Sequence, residues 1–554
     1  MHCKKVCIFI VSILFISFYF IPTTNADTLG QNVVFFTNSK YDYLGRNKIN
    51  ASLRFVSTRA YFYVEDDYFS GLGTVDKQNF DSNLNQVAQE FDSNIYPKET
   101  SFWGSPAVLG NRDDKITILL ERLNNGTGGY FDSSNDYAPN IVPVSNYRQM
   151  LTISAESINR NSRSPKALIA HEFQHLISFT QKELLRSVDE DTWLNELRSE
   201  YSIDLVGYNE PFQNSTLQQR VSEFLQNPSD SLTEWLNQPF EYGAISLLSQ
   251  YMTEQYGQGI LKETLQSSNT GIASINDYLT KHGYRQSFKD IFENWAVANY
   301  LNNSSDAHSG YGRPDLTNFH VTPVTNNLFY PFNYTYSYTL KPWQPAWYKF
   351  DIDQAVPKSK VIKLEFQTSS NNFGLTYVDT LGHHTLSNTT YLTSLPSSFV
   401  LIPYNQNKLG DFTNNDPAST MILNLSFVDT PPVNTTVSNP SLISDGALIK
   451  KLGGTDLYVI TGLYKRYMSP EAISLYGQLD PQKAYEVTPE VFDSFPTSNY
   501  IRVVGTAGIY AVWPDNTKHL FNFNFVQSGR NPKLIFTINP REFNIYKTGV
   551  PILR

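Results

Sequence analysis

The sequence predicts a multidomain chain in which an α/β segment, a helical segment, a β-sandwich and a two-copy β-rich repeat follow one another. Three observations carry this reading. Strand-like runs alternate with a helical run from residue 27 to about 165, and 3.6-residue apolar spacing then holds to about residue 302. From about residue 320 short alternating runs are separated by Asn, Gly, Ser and Pro turns. Toward the end, similar segments recur at a fixed spacing, the mark of a repeated supersecondary unit. A chain of 554 residues is also too long for a single core.

Residues 1–26 read as a secretory signal. Lys4 and Lys5 give a positive start, Val6 to Ile21 is apolar, and Thr24-Asn25-Ala26 offers small residues for cleavage. The apolar run falls short of the ~20 residues that a spanning helix needs, and no other follows, so no transmembrane helix is expected after signal removal. Both cysteines, Cys3 and Cys7, lie inside this segment, so disulfides and thiolate metal sites are excluded from the remainder. The formal charge of −9 becomes −11 without Lys4 and Lys5. That balance excludes nucleic acid as a partner, since its phosphates would be repelled. A secreted location, extracellular or cell-wall associated and bacterial in character, is the expectation.

Residues 27–165 form the α/β part. Leu53 to Val64 is β-branched and aromatic, Asn79 to Ile95 is helix-like, and Lys115 to Leu120 and Met150 to Ser154 read as strands. Gly128-Gly129-Tyr130-Phe131 reads as a flexible turn. It is either an ordinary glycine turn or the border of a cleft where Gly129 and Tyr130 meet an extended ligand backbone. Asp113-Asp114 and Asp132 with Asp136 sit in turns as candidate oxygen ligands for Ca²⁺, although no full calcium loop appears.

Residues 166–318 form the helical part, and its head carries the chemistry. Ser164-Pro165 is a helix start, a hydroxyl cap followed by a proline where the missing donor is harmless. On a helix at about 100° per residue with His171 at 0°, His175 falls near 40° and Glu172 near 100°. Ile169, Phe173, Leu176, Ile177 and Thr180 fall at about 140–240°, a separate, mostly apolar stripe. One face therefore packs into a core while the other offers two imidazoles and a carboxylate. His171-Glu172-Phe173-Gln174-His175 is the H-E-x-x-H pattern, in which two neutral imidazoles one turn apart reach one tetrahedral Zn²⁺. The glutamate between them stands close to a metal-bound water without ligating the ion.

A catalytic zinc needs a third ligand. Twenty-one positions after His175 (196 − 175), Glu196 lies in Trp193-Leu-Asn-Glu-Leu-Arg-Ser-Glu-Tyr201, where Trp193, Leu194, Leu197 and Tyr201 recur at helical spacing. Glu196 and Glu200 share a face one turn apart. Two His and one Glu is a recurring zinc set, and Glu200 suits the work of accepting the free ring N–H of a ligand histidine.

His171 to His175 followed by Asn195 to Glu200 resembles the zinc signature of the gluzincin metallopeptidases, the thermolysin-like clan. Ala170 to Ile177 with Trp193 to Glu196 is similar to the hyicolysin family in particular. The likeness extends to Ala60–Glu65, Glu90–Pro97 and Gly128–Phe131, and covers roughly residues 50 to 300. The resemblance implies a zincin catalytic unit with His171, His175 and Glu196 as zinc ligands, Glu172 as general base and Glu200 behind a histidine. It implies a zinc-dependent endopeptidase acting on proteins or peptides. An oxyanion donor from the helical half is expected as well. Tyr242, in Glu241-Tyr-Gly-Ala244, is the candidate, with Tyr251 and His282 as competitors and a packing tyrosine as the alternative. Further helices are expected at Leu217–Leu225, Tyr242–Tyr256, Ile272–Leu279 and Phe288–Leu301. Two rival functions stand beside the endopeptidase: an aminopeptidase on the same framework, for which no acidic amine-binding motif is evident upstream, and a non-catalytic cell-surface binding protein.

Residues 319–429 carry the sandwich pattern in Trp347–Ile352, Val361–Phe366 and Met421–Phe427. His383-His384 is no metal site, because neighbours on a strand face opposite ways. Residues 430–445 read as a proline-stiffened linker. In residues 446–554, Gly454–Ile460 is answered by Thr506–Val512, with Tyr458 and Tyr510 equivalent, and Val487–Phe492 by Ile538–Phe543. Asp445–Lys450 and Lys465–Pro470 resemble a repeat found at the ends of bacterial secreted and cell-surface proteins, which makes cell-wall association through this module an expectation.

Overall fold

The computed structural model describes residues 26–109, 113–159, 165–284, 286–303, 308–353, 355–369, 372–379, 382–386, 388–392, 396–429, 440, 443–477 and 479–553. The signal with Cys3 and Cys7, the cap Ser164 and most of the 430–445 linker lie outside the described residues. Backbone contacts divide the chain into two units, 1–97 with 106–169, and 98–105 with 170–554.

In the first unit the strands are β1 (Asn32–Phe36), β2 (Lys48–Val56), β3 (Ala60–Glu65), β4 (Ile116–Glu121), β5 (Gly129–Tyr130) and β6 (Met150–Ser154). The helices are α1 (Asp66–Ser70), α2 (Thr74–Glu90), the start of α3 (Tyr96–Trp103), α4 (Ala155–Asn159) and the start of α5 (Pro165–Phe179). The sheet order is β1-β2-β3-β4-β6-β5. β3, β4 and β6 run parallel, while β1, β2 and β5 are antiparallel to their neighbours. Parallel strands are covered on both faces, which is why β3 and β4 are buried along their whole length. The aromatic run Leu53–Val64 spans parts of two strands, because the chain reverses at Ser57–Arg59 around the Asp92 carboxylate, which accepts from Thr58 N and Arg59 N. In place of the turn expected at Gly129-Tyr130, these residues are the outermost strand, in register with Ile153 and Thr152. Gly128 lies so close to Leu168 that a Cβ there would sit 2.7 Å from its side chain. Asp27 is anchored in the sheet's support: its carboxylate accepts from Tyr63 Oη at 2.9 Å and pairs with Arg148.

The second unit continues α3 and α5 and adds α6 (Thr192–Leu205), α7 (Thr216–Phe224), α8 (Pro239–Tyr256), α9 (Gly259–Leu265), α10 (Gly271–Lys281) and α11 (Phe288–Leu301). Capping boxes start α8 and α11, with Glu241 and Asp290 reaching back to the caps Gln238 and Ser287. Ile169, Phe173, Leu176 and Ile177 of α5 and Thr180 just after it are all buried, at 3% exposure or less.

Ten strands follow: β7 (Val324–Leu328), β8 (Tyr334–Leu340), β9 (Gln344–Pro345), β10 (Tyr348–Ile352), β11 (Lys360–Thr368), β12 (Phe373–Asp379), β13 (Gly382–Thr385), β14 (Thr389–Leu392), β15 (Ser398–Asn405) and β16 (Ser419–Asp429). They form two sheets, ordered β13-β12-β15-β10-β7, with β9 beside β15, and β14-β11-β16-β8. Phe350, Leu375 and Leu401 of one sheet and Leu364, Met421 and Leu423 of the other share one core. His383 and His384 sit on β13.

Two further sheets end the chain. One is built from β17 (Leu448–Lys451), β18 (Leu457–Thr461), β19 (Tyr464–Met468) and β20 (Tyr485–Val487), with α12 (Pro470–Ile473) and α13 (Pro489–Ser494). The other has β21 (Tyr500–Val503), β22 (Ile509–Val512), β23 (Thr517–Leu520) and β24 (Ile535–Ile538), then α14 (Pro540–Ile545) and β25 (Lys547–Thr548). Each has two antiparallel pairs and a matching parallel pair, β17 with β20 and β21 with β24, and the second adds a further parallel pair, β23 with β25. In each, a lysine closes the C-terminal end of the short helix: Lys465 Nζ donates to Phe492 O and Phe495 O, and Lys518 Nζ to Phe543 O and Tyr546 O. A buried pair, Arg466 with Glu542, ties the two sheets together.

Candidate metal centre

Two helices of the second unit build the site. α5 supplies His171 and His175 on one face because four residues make about one turn, and their ring centroids are 4.9 Å apart. α6 supplies Glu196. The two imidazole Nε2 atoms are 3.2 Å apart, and Glu196 Oε2 lies 3.3 Å from that of His171 and 3.5 Å from that of His175. Donors about 2.0–2.1 Å from a tetrahedral ion are separated from one another by about 3.3 Å, so this triangle fits one face of a zinc tetrahedron. No hydrogen bond satisfies the buried Glu196 Oε2, as suits an atom that serves as a ligand. Among the described residues, His171, His175 and Glu196 are the one group of three that could hold a metal.

The electrostatics agree with a cation site. Burial opposes charge on His171, yet Glu196 and Glu200 outweigh it and hold the imidazole proton up to about 10. Burial likewise opposes charge on Glu196, but the two imidazoles pull its carboxyl down to about 2. The carboxylate facing His171 Nε2 is a charge that a dication at this place would stabilise.

Glu200 stands behind His171, with Oε1 3.4 Å from Nδ1. Its carboxylate is itself fixed by three donors: Arg220 Nε at 2.8 Å, Arg220 Nη2 at 2.7 Å and Ser246 Oγ at 3.1 Å. Burial would raise its carboxyl, but Arg220 and His171 hold it well below the carboxylate range. Behind His175 stands Ser199 Oγ, 3.1 Å from Nδ1. Glu172 is buried on the α5 turn next to His171.

Tyr242 opens α8 beside the site, its ring 6.4 Å from the His171 ring and 4.5 Å below the Arg220 guanidinium. Its hydroxyl donates to Asn237 Oδ1 at 2.7 Å. Burial, then the charges of Glu196 and Glu200, push the phenol far up, so it stays a donor. The competitors are engaged elsewhere: Tyr251 is fully buried and donates to His308 O, and His282 pairs with Glu263 at 2.9 Å.

In the first unit, Tyr130 Oη donates to Glu121 Oε2 at 3.1 Å and accepts from Asn38 N at 3.3 Å. The candidate calcium carboxylates make protein contacts. Asp132 caps the 3₁₀ turn Ser133–Asp136, Asp136 accepts from Gln149, Asp113 accepts from Tyr61, and Asp114 meets Arg59 at 3.5 Å.

Sequence reasoning missed Arg220, Ser199 and Glu99. Glu99 of α3 is fully buried, neither of its oxygens has a hydrogen-bond partner, and burial raises its carboxyl well above the usual range although the His171 charge opposes this. The sequence offered a signal for Ser199 alone, which shares a helix with Glu196 and Glu200; Arg220 and Glu99 lie too far along the chain.

No protein-family model matches the chain. It is 24% identical over 299 residues to a neutral metalloprotease, ShpI, of Staphylococcus hyicus, a match covering 50% of this chain and 64% of that protein. The chain thus spans less than two thirds of that relative's length, and its likeness to the hyicolysin type of metalloprotease rests on that span. Among solved structures, periplasmic inhibitors of g-type lysozyme from Aeromonas hydrophila and Salmonella Typhimurium are 8% and 14% identical. Both cover 19% of this chain and all of their own, with TM-scores of 0.14 and 0.12, too low to carry an argument.

Proposed function

We propose that this chain is a secreted zinc-dependent endopeptidase. The observation that carries the reading is the triangle of His171, His175 and Glu196, with edges of 3.2–3.5 Å, beside the acid Glu172. His171 and His175 would hold zinc through Nε2 and Glu196 through Oε2. A zinc ion held there would supply a Lewis acid for the scissile carbonyl and would acidify water toward a pKa of about 7. Glu172 then takes the proton of the attacking water on its carboxylate and returns it to the departing amine nitrogen. Tyr242, kept protonated, would turn its hydroxyl from Asn237 Oδ1 to the carbonyl oxygen as negative charge develops there. Glu200 accepts His171 Nδ1–H and keeps that imidazole facing the ion.

Gly129 and Tyr130, on the outermost strand of their sheet, suit pairing with an extended peptide, with Tyr130 held in place by Glu121. The architecture fits a zincin-type catalytic part, a β-sandwich over 319–429 and two copies of one unit over 446–554. These terminal copies are the part suited to cell-wall attachment. The deciding experiment measures zinc content and cleavage of N-terminally blocked peptides by the purified mature protein. One zinc per chain, with cleavage abolished by a chelator and restored by zinc, is expected. A metal-free protein that cleaves, or a zinc-loaded one that spares blocked peptides, overturns the endopeptidase.

A further inference from the structure

The proposed zinc site contains a hydrogen-bond chain that runs the opposite way to the one behind His171. Ser199 Oγ lies 2.6 Å from Gln174 Oε1, 3.1 Å from His175 Nδ1 and 3.4 Å from Asn195 O. Gln174 and Ser199 are both fully buried, so water does not compete for these contacts. A hydroxyl has one proton to give and lone pairs to receive. Gln174 Oε1 is an acceptor only, and it is the shortest of the three contacts. The Ser199 proton therefore points to Gln174, and toward His175 the same oxygen can only accept. With the Gln174 amide so oriented, its nitrogen unpartnered, His175 carries its proton on Nδ1, which leaves Nε2 as a lone pair aimed at Glu196 Oε2 and His171 Nε2.

We propose that Gln174 and Ser199 are positioning residues that lock the tautomer of His175 for metal binding. This rests on the reading of His171, His175 and Glu196 as zinc ligands. His171 is oriented by a charged acceptor, Glu200, which cannot donate. His175 is oriented by a neutral hydroxyl, which can do either, and Gln174 removes the choice. The second variable position of H-E-x-x-H thus has a defined task in this chain: Gln174 projects from the same helix as His175 and reaches α6 three residues beyond Glu196. Without the Gln174 acceptor, Ser199 is free to donate to Nδ1, and the tautomer so stabilised puts a proton where the metal must bind.

The test is zinc affinity, measured by chelator competition on the full mature chain, for Gln174→Met, Ser199→Ala, the double variant and Ser199→Thr. Loss of an outer partner of a metal-bound histidine lowers affinity about 10- to 100-fold. Each single variant should fall in that range. The double variant should bind no more weakly than Ser199→Ala, because Gln174 acts only through the hydroxyl, and Ser199→Thr should bind like the parent. A merely structural pair would lower the melting temperature without this pattern. Losses that multiply in the double variant, or parent-like affinity in Gln174→Met, overturn the lock. The parent alone also tests it: with ¹⁵N-labelled histidine in the chelator-stripped protein, where no metal dictates the tautomer, His175 should be protonated at Nδ1, and a neutral imidazole protonated at Nε2 refutes the proposal. A parent that binds no zinc fails the ligand reading instead, a separate outcome.

Discussion

Arg220 grips Glu200 with two nitrogens, Nε on one carboxylate oxygen at 2.8 Å and Nη2 on the other at 2.7 Å, and both side chains are buried. The forked geometry fixes the plane of the carboxylate that faces His171, which a lysine's point charge does not. Arg220 also meets Glu223 at 2.7 Å and covers the Tyr242 ring.

Arg220→Met should therefore be among the most damaging substitutions outside the metal ligands. It leaves Glu200 charged and buried, a change that typically costs about 3–5 kcal/mol. Thermal unfolding should show the loss, and zinc titration should show weakened binding. Arg220→Lys should recover part of the stability and less of the zinc affinity.

Glu172→Gln should keep zinc and lose cleavage, by about 10²- to 10⁴-fold, since an amide cannot take the water's proton. His171→Ala, His175→Ala and Glu196→Ala should lose the metal itself. Elemental analysis beside a blocked-peptide assay separates the two classes. If Glu200→Ala empties the site and Glu196→Ala does not, the two glutamates exchange roles.

Glu121 predicts a pH effect within the sheet of the first unit. It is fully buried, and burial holds its carboxyl up to about 8 against the opposing hydrogen bond from Tyr130. Asp42 and Glu65 nearby add to the upward shift, and Arg46 sits between those two. A folded pKa above the unfolded one, ordinarily about 4.3, means that the folded state holds the proton more tightly. The resulting stability is whole below about pH 4, declines as pH rises, and is gone above about 8. Glu121→Gln should thus gain on the parent by up to about 1.4 kcal/mol per pH unit across that window. Denaturant melts at pH 5 and pH 8 measure the difference, and an equal effect at both refutes it.

In the terminal sheets, Glu542 accepts from Arg466 and from the Tyr476 and Tyr546 hydroxyls while fully buried. Arg466→Met should destabilise the 446–554 region by about 3–5 kcal/mol through the stranded carboxylate. Limited proteolysis should then cut this region first while zinc stays bound. Arg466→Met with Glu542→Gln should recover much of the loss.

The parts of the site that can be read from sequence are those set by helical periodicity. His171, Glu172 and His175 share a turn, and Glu196 and Glu200 share another, so spacing alone groups them. The apolar repeat likewise marks Phe288–Leu301 to the residue. Arg220 and Glu99 reach the site only through tertiary packing, 20 residues after Glu200 and 72 before His171 (220 − 200, 171 − 99), and neither carries a local signal. Gly129 and Tyr130 mislead for a related reason. Two adjacent glycines favour a turn locally, but β6 supplies a pairing partner that only the folded sheet provides. Tyr242 was legible as an aromatic at a helix start, whereas its restraint by Asn237 was not.

The opening strands bear on maturation. Asp27 is clasped by Arg148 and Tyr63, β1 lies along β2, and Phe35 and Ile49 are interior side chains beside Tyr63 and Leu119. A maturation protease that excised residues 27–50 would strip the outer strand and the start of the next, laying bare aromatic surface that water would drive to aggregate. Residues 27–50 are thus woven into the sheet rather than laid over it, and their loss should cost the first unit much of its cohesion.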